Sequence, residues 1–325
     1  MSPAPLTSGK LSAEVLPSAH RGSENIMRTN ASDLLLTAIA PAIWGSTYII
    51  TTEFLPNFSP TTVAMLRALP AGLLLLLIVR QLPTGIWWAR VFILGALNFS
   101  IFLSMLFISA YRLPGGVAAM IGAIQPLLVV FLAYFILASP ILLPSILAAL
   151  VGAAGVAVLV LTPAAALDPV GIIAGLVGAC SMACGIVLSR KWQPPVSLLI
   201  STAWQLTAGG LLLVPVVLVF EPAIPVPTVT NVLALAWLGL IGMALTYTLW
   251  LRGIMRLNSS TVAPLLLLSP VTAVLLGWLF LNQTLTVLQI AGVILVIGSI
   301  WLGQRVGLRS DRSLKAPPRT CRVES

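Results

Sequence analysis

The chain has 325 residues, is 59% hydrophobic and only 8% charged, and carries a formal net charge of +9. A soluble domain is about a quarter charged, so this chain lacks the side chains to cover itself in water. Its mean hydropathy of +1.07, with basic residues scattered between apolar runs, excludes a nucleic-acid surface and points to charge anchored beside a membrane.

Residues 1–33 are predicted to be a polar, disordered cytoplasmic tail, with Pro3, Pro5 and Pro17 among several serines. No apolar core follows an early basic cluster, so the start does not resemble a signal peptide. Met27 offers a second initiator. Ten apolar runs follow, at 34–52, 61–79, 90–110, 116–137, 142–162, 170–189, 197–219, 231–251, 259–281 and 286–304. Each can hold roughly 20 residues, enough to cross ~30 Å of hydrocarbon as a helix. Helices satisfy their own backbone groups, as lipid requires. Turn formers and charge mark the breaks, among them Pro56-Asn57, Arg80-Gln81-Leu82-Pro83, Pro114-Gly115-Gly116, Asp168-Pro169 and Pro194-Pro195. Residues 305–325 form a second, basic tail with Arg305, Arg309, Arg312, Lys315, Arg319 and Arg322.

Ten spans put Lys10, Arg21, Arg28, Arg80, Arg90, Arg190, Lys191, Arg252, Arg256 and the basic tail on one side. The other side holds Arg112 with Glu53, Asp168 and Glu221. Positive charge marks the cytoplasmic side, so both termini are expected there, in a bacterial inner membrane. An odd number of spans would spoil the alternation.

Two stretches match at an offset of 144: Arg112-Leu113 with Arg256-Leu257, Ala119 with Ala263, Pro126 with Pro270 and Val130 with Val274. A weaker match sets Trp44-Gly45 against Cys184-Gly185. Five spans per copy is odd, so the second copy enters from the opposite side. The expected fold is all-α, ten transmembrane helices as a five-plus-five inverted repeat, with copies at 34–162 and 170–304. In such architectures the site lies near the midplane between the copies.

Polar residues inside spans are costly and usually pair or line a cavity. Arg67 is the only charge deep in a predicted span. It either faces a cavity, ties helices, or snorkels to an interface. Trp44, Thr47 and Tyr48 share one face of the first span, and Tyr247 and Trp250 one face of the eighth. Asn98, Ser100 and Ser104 lie in the third span, Gln125 before Pro126 in the fourth, and Ser269 before Pro270 in the ninth. A proline in a span frees a carbonyl, which suits a polar lining. The expected substrate-binding residues are Trp44, Tyr48, Arg67, Asn98, Gln125, Tyr247, Trp250 and Ser269. Trp87 and Trp88 fit an interface belt. Gly171 with Gly175, and Ala153 with Ala157, read as close-packing pairs.

No catalytic residues, metal site or cofactor are expected. Cys180 and Cys184 have no histidine near them in sequence, and His20 lies in a polar tail. No Asp or Glu lies deep in any predicted span, so proton coupling lacks its usual carboxylate. Glu53, at the outer end of the first span, is the one candidate exception.

The Trp44-Gly45-Ser46-Thr47-Tyr48 run resembles the drug/metabolite transporter superfamily, in particular its EamA-type members. Leu66-Arg67-Ala68, Tyr247 with Trp250, Val262-Ala263-Pro264-Leu265, Ser269-Pro270 and Leu285-Thr286 with Gln289 and Gly292 extend the resemblance over about residues 34–304. It implies ten helices, a central cavity and export of amino acids or related metabolites. The family's Gly-Glu pair after the fourth and ninth spans is replaced by Ala138-Ser139 and Asn282-Gln283. The expected function is export of small metabolites by alternating access, with multidrug or aromatic-metabolite efflux as the alternative. A sensor or scaffold is disfavoured because it would need a soluble signalling domain. The expected partners are a small-molecule substrate and membrane lipids, with no nucleic acid.

Overall fold

The computed structural model is helical almost throughout, with no strand among the described residues. The structure describes residues 18–122, 124–138, 168–257, 265–266, 268–282 and most of 286–298, with scattered positions between 147 and 158; side chains of the first helix are described from Ser32. Six helices are long and apolar enough to cross a membrane: Ser32–Phe54, Pro60–Val79, Trp87–Arg112, Pro169–Trp192, Leu198–Phe220 and Val229–Gly253. These are the first, second, third, sixth, seventh and eighth spans. Shorter apolar helices at Leu127–Leu137 and Leu268–Leu281 occupy the fourth and ninth. Helical positions between 147 and 158 and between 287 and 298 fall in the fifth and tenth. Ala153 and Ala157 lie outside the described residues.

One boundary differs from expectation. The first helix runs from Ser18 to Phe54, so its opening turns occupy part of the segment read as a disordered tail. An apolar span already supplies the costly nucleus, and each further residue adds one hydrogen bond. Polar composition argued for a tail and could not see this extension.

The helix ends obey local rules. Ser59, Ser197 and Asp168 cap the second, seventh and sixth spans with side-chain oxygens that accept from the first free backbone N–H groups. Proline stands at the first helical turn of the second and sixth spans, where its missing N–H costs nothing. The third and eighth spans each contain a π-helical segment, Ala96–Ile101 and Trp237–Leu245. Both spans then end in an extended cap at Leu113 and Leu257. The ends of the π-helical segments, Ile101 and Leu245, and the caps Leu113 and Leu257 recur at the offset of 144.

Ala138 and Asn282 also correspond, and both are left-handed, with φ of 51° and 50°. Asn tolerates this conformation and Gly adopts it freely, whereas Ala is strained there. Ala138→Gly is therefore expected to raise stability by about 1 kcal/mol. Thermal unfolding in detergent would read it, with a smaller gain from Asn282→Gly.

The packing exchanges helices between the halves. The first span packs on the eighth and ninth, and the sixth on the third and fourth. The second and seventh pack chiefly on each other, between these two groups. Each exchanged helix is tied by an ion pair at its start. Asp33, at the start of the first span, accepts from Arg252 at 2.8 Å and Arg256 at 3.3 Å, at the end of the eighth. Asp168, before the sixth span, accepts from Arg112 at 2.8 Å, at the end of the third. The Arg112 hydrogen bond, helped by the backbone N–H groups of Gly171 and Val170, holds the Asp168 carboxyl below its usual range. The two ties lie at opposite ends of the bundle.

Candidate functional site

A cavity of about 220 Å³ opens between the two helix groups. The first, eighth and ninth spans wall one side, and the third, fourth and sixth the other. Trp44, Tyr48, Arg67, Gln125, Tyr247, Trp250 and Ser269 all line it. Thr47 and Pro270 join them. Apolar lining comes from Phe102, Leu103, Leu106, Met182, Ile186 and Met243. The flexible methionines suit an irregular wall.

The aromatic side is a connected cluster. Trp44 lies 5.5 Å from Tyr247 and 5.6 Å from Trp250 between ring centroids, and Phe99 lies 5.8 Å behind Tyr247. The planes are tilted by 50–57°, within the separations aromatic pairs favour. These rings come from three spans and reinforce one another's positions.

The cluster is held at one carbonyl. The π-helical segment of the eighth span breaks the regular ladder, and the N–H of Thr246 donates to Ile241 and Met243 rather than to Gly242. The Gly242 carbonyl instead accepts from the Trp44 indole N–H at 3.0 Å and from Arg67 Nη2 at 3.3 Å. The Trp44 indole also donates to Thr246 Oγ1 at 2.8 Å. One irregular turn of backbone thus orients a tryptophan and an arginine from two other spans. Sequence patterning has no signal for a π-helical turn; Gly239 and Gly242 are the nearest hint.

Arg67 does not snorkel. It is 4% exposed, and its guanidinium carbon sits 5.7 Å from the Phe107 ring centroid. Its Nε and Nη1 have no protein hydrogen-bond partner. Among the described residues no Asp or Glu lines the cavity.

Asn98 stands apart from the other expected site residues. It is buried between helices, where its amide donates to Gln205 Oε1 at 2.7 Å. Gln205 in turn donates to Ser201 at 2.8 Å. Ser100 donates to the Gly209 carbonyl at 2.8 Å, and Ser181 to the Leu97 carbonyl at 2.7 Å. This polar row ties the third span to the sixth and seventh. The Asn98 amide oxygen has no protein partner, and sequence does not tell a helix tie from a cavity lining. Among the described acids only Asp33 is buried, and the arginines at the end of the eighth span account for it; Glu53 is exposed. Cys180 and Cys184 are free thiols, and no metal-binding cluster occurs among the described residues.

A helical bundle with many apolar spans around a partly open, largely apolar cavity defines a multi-pass membrane protein, and the family match makes it a transporter. The model of the EamA-like transporter family matches residues 32–161 and again 169–303. The chain belongs to that family, within the drug/metabolite transporter superfamily. It is 42% identical over 281 residues to protein PecM of Dickeya dadantii, covering 86% of this chain and 94% of that one. It is 27% identical over 252 residues to the uncharacterized inner membrane transporter YedA of Escherichia coli, covering 76% and 82%. A solved crystal structure superposes with a TM-score of 0.66 at 19% identity, covering 88% of this chain and 99% of that chain, a likeness of fold.

Proposed function

We propose that the protein exports small metabolites, amino acids or related compounds, across a bacterial inner membrane by alternating access. The observation that carries this reading is the cavity between two helix groups, each built from both halves of the chain. Motion of one group against the other, about the second and seventh spans, would open the cavity to either side. An inverted five-plus-five arrangement is supported by the repeated π-helical segments, the paired left-handed caps and the two end ties. Loop charge supports cytoplasmic termini, and the inner-membrane relative YedA supports the location.

The aromatic cluster of Trp44, Tyr247 and Trp250 also favours aromatic-metabolite efflux within the same mechanism. Transport in this reading follows the substrate gradient. Among the described residues the one buried carboxylate, Asp33, is held by two guanidiniums, and none faces the cavity. The test has two parts. Media from cells with and without the protein are compared for accumulated metabolites. The metabolite that differs is then followed into proteoliposomes with and without a pH step. Gradient-driven entry that ignores the pH step is expected. Strong uphill accumulation on a pH step would overturn the coupling, and identical media from both strains would overturn export.

A further inference from the structure

Within that transport reading, and on its aromatic-metabolite branch in place of amino acids, we infer that the cargo is a singly charged aromatic oxyanion: a planar apolar body bearing one carboxylate or comparable anionic oxygen group. The charge balance of the cavity carries the inference. Among the described residues Arg67 is the only charged one lining it, and a guanidinium does not lose its proton in proteins. It has five N–H donors in a planar fork. Nη2 donates to the Gly242 carbonyl, while Nε and Nη1 are buried without a protein partner. A buried guanidinium left unpaired is costly. Its neighbours do not supply the missing charge: Gly242 gives a carbonyl and Phe107 a ring face. A ligand oxyanion would supply the missing charge and accept from the open Nε or Nη1 edge; these two groups lie on different edges of the guanidinium, so one carboxylate takes one of them.

The remainder of the wall selects the body. Trp44, Tyr247 and Trp250 present adjoining rings, with Met182, Ile186 and Met243 completing apolar surface. A zwitterion would bring an ammonium group for which no carboxylate waits among the described lining residues. Aromatic faces can attract a cation, but faces stacked on the planar body of the cargo are not open to one. A second anionic group on the cargo would likewise lack a counter-ion. One anion and one planar body match Arg67 and the joined rings of Trp44, Tyr247 and Trp250.

The test titrates the full-length protein in lipid nanodiscs, with empty nanodiscs as blank. The probes are 2-naphthoate, its neutral amide 2-naphthamide, the cation 2-naphthylmethylamine, acetate and chloride. Naphthoate is expected to bind about tenfold or more tighter than the amide, the scale of a charge-assisted hydrogen bond. The amine and acetate should bind weaker still. In Arg67→Gln the preference for acid over amide should fall to about twofold or less, with amide binding kept. If Arg67→Gln does not fold, the probe series on the unaltered protein still decides. Equal binding of acid and amide, or tighter binding of the amine, would overturn the anion. Acetate or chloride binding as tightly as naphthoate would overturn the aromatic body. These are equilibrium measurements, so the transport reading fails separately. Naphthoate that binds but never crosses proteoliposomes would count against transport alone. Gradient-driven movement of a zwitterion, with no naphthoate binding, would remove the oxyanion and leave transport standing.

Discussion

Gly210→Ala and Gly72→Ala should each lower stability sharply, by about 3 kcal/mol or more, at the upper end of what overpacking costs. A Cβ added at Gly210 would lie 2.7 Å from both Cα and Cβ of Leu69. One added at Gly72 would lie 2.6 Å from the backbone nitrogen of Thr207. Backbone atoms cannot rotate away as a flexible side chain can, so the second and seventh spans would have to separate. The loss would spread, because this pair stands between the two helix groups. Thermal unfolding in detergent, followed by size-exclusion profile, measures it. Gly298→Ala serves as the control, since its Cβ would meet nothing within 4 Å. Unfolding midpoints for all three that match the unaltered protein would sink the close-packed axis.

That axis bears on how the cavity works. In lipid the apolar surface of a helix gains little by leaving its solvent, so close packing and interhelical hydrogen bonds decide association. The second and seventh spans meet by backbone contact at glycine. The outer groups are stitched by polar ties: Asp33 with Arg252 and Arg256, Asp168 with Arg112, and Trp237 with Ser46 at 3.0 Å. Each exchanged helix is therefore fixed to the other half of the chain. The natural dividing surface runs through the cavity and not through the ties.

Much of this was legible in the sequence, and the parts that were not share a cause. Apolar runs broken by proline and charge gave the spans, because a helix in lipid must be long, apolar and self-satisfied. The i, i+3, i+4 spacing of Trp44, Thr47 and Tyr48 put them on one face, and all three meet the cavity. Arg67 drew notice as a deep charge, but its environment was invisible, since the Gly242 carbonyl is exposed by backbone geometry and not by a side chain. Asn98 sits apart from the described cavity lining for a related reason. Its partner Gln205 lies 107 positions away, and no local pattern links them. Asp33 looked like a tail residue because its two arginines also lie far along the chain. Periodicity reports which face a residue occupies; it says nothing of what that face meets.

Trp44→Ala should be the most damaging single change in the cavity wall, and comparison with Trp44→Phe separates its two roles. Truncating a tryptophan to alanine in a packed site costs about 3–5 kcal/mol. Trp44 touches Tyr247 and Trp250 and donates to both Gly242 and Thr246. The alanine variant removes the ring and both hydrogen bonds, and it leaves the Gly242 carbonyl to Arg67 alone. The phenylalanine variant keeps most of the ring and loses only the N–H. A lost hydrogen bond that strands a buried acceptor costs about 1–3 kcal/mol. Arg67 still reaches the same carbonyl and can tighten its bond, so the low end of that range applies. Trp44→Phe is expected to stay folded, with a modest fall in unfolding midpoint and some slowing of transport. Trp44→Ala is expected to lose transport and most of its thermal stability. Unfolding midpoints and proteoliposome flux, measured on both variants, check the order. Should Trp44→Phe fall as far as Trp44→Ala, the N–H tie to the eighth span would be the dominant role and the ring wall secondary. Should neither variant differ from the unaltered protein, the aromatic cluster would have no part in holding or serving the cavity.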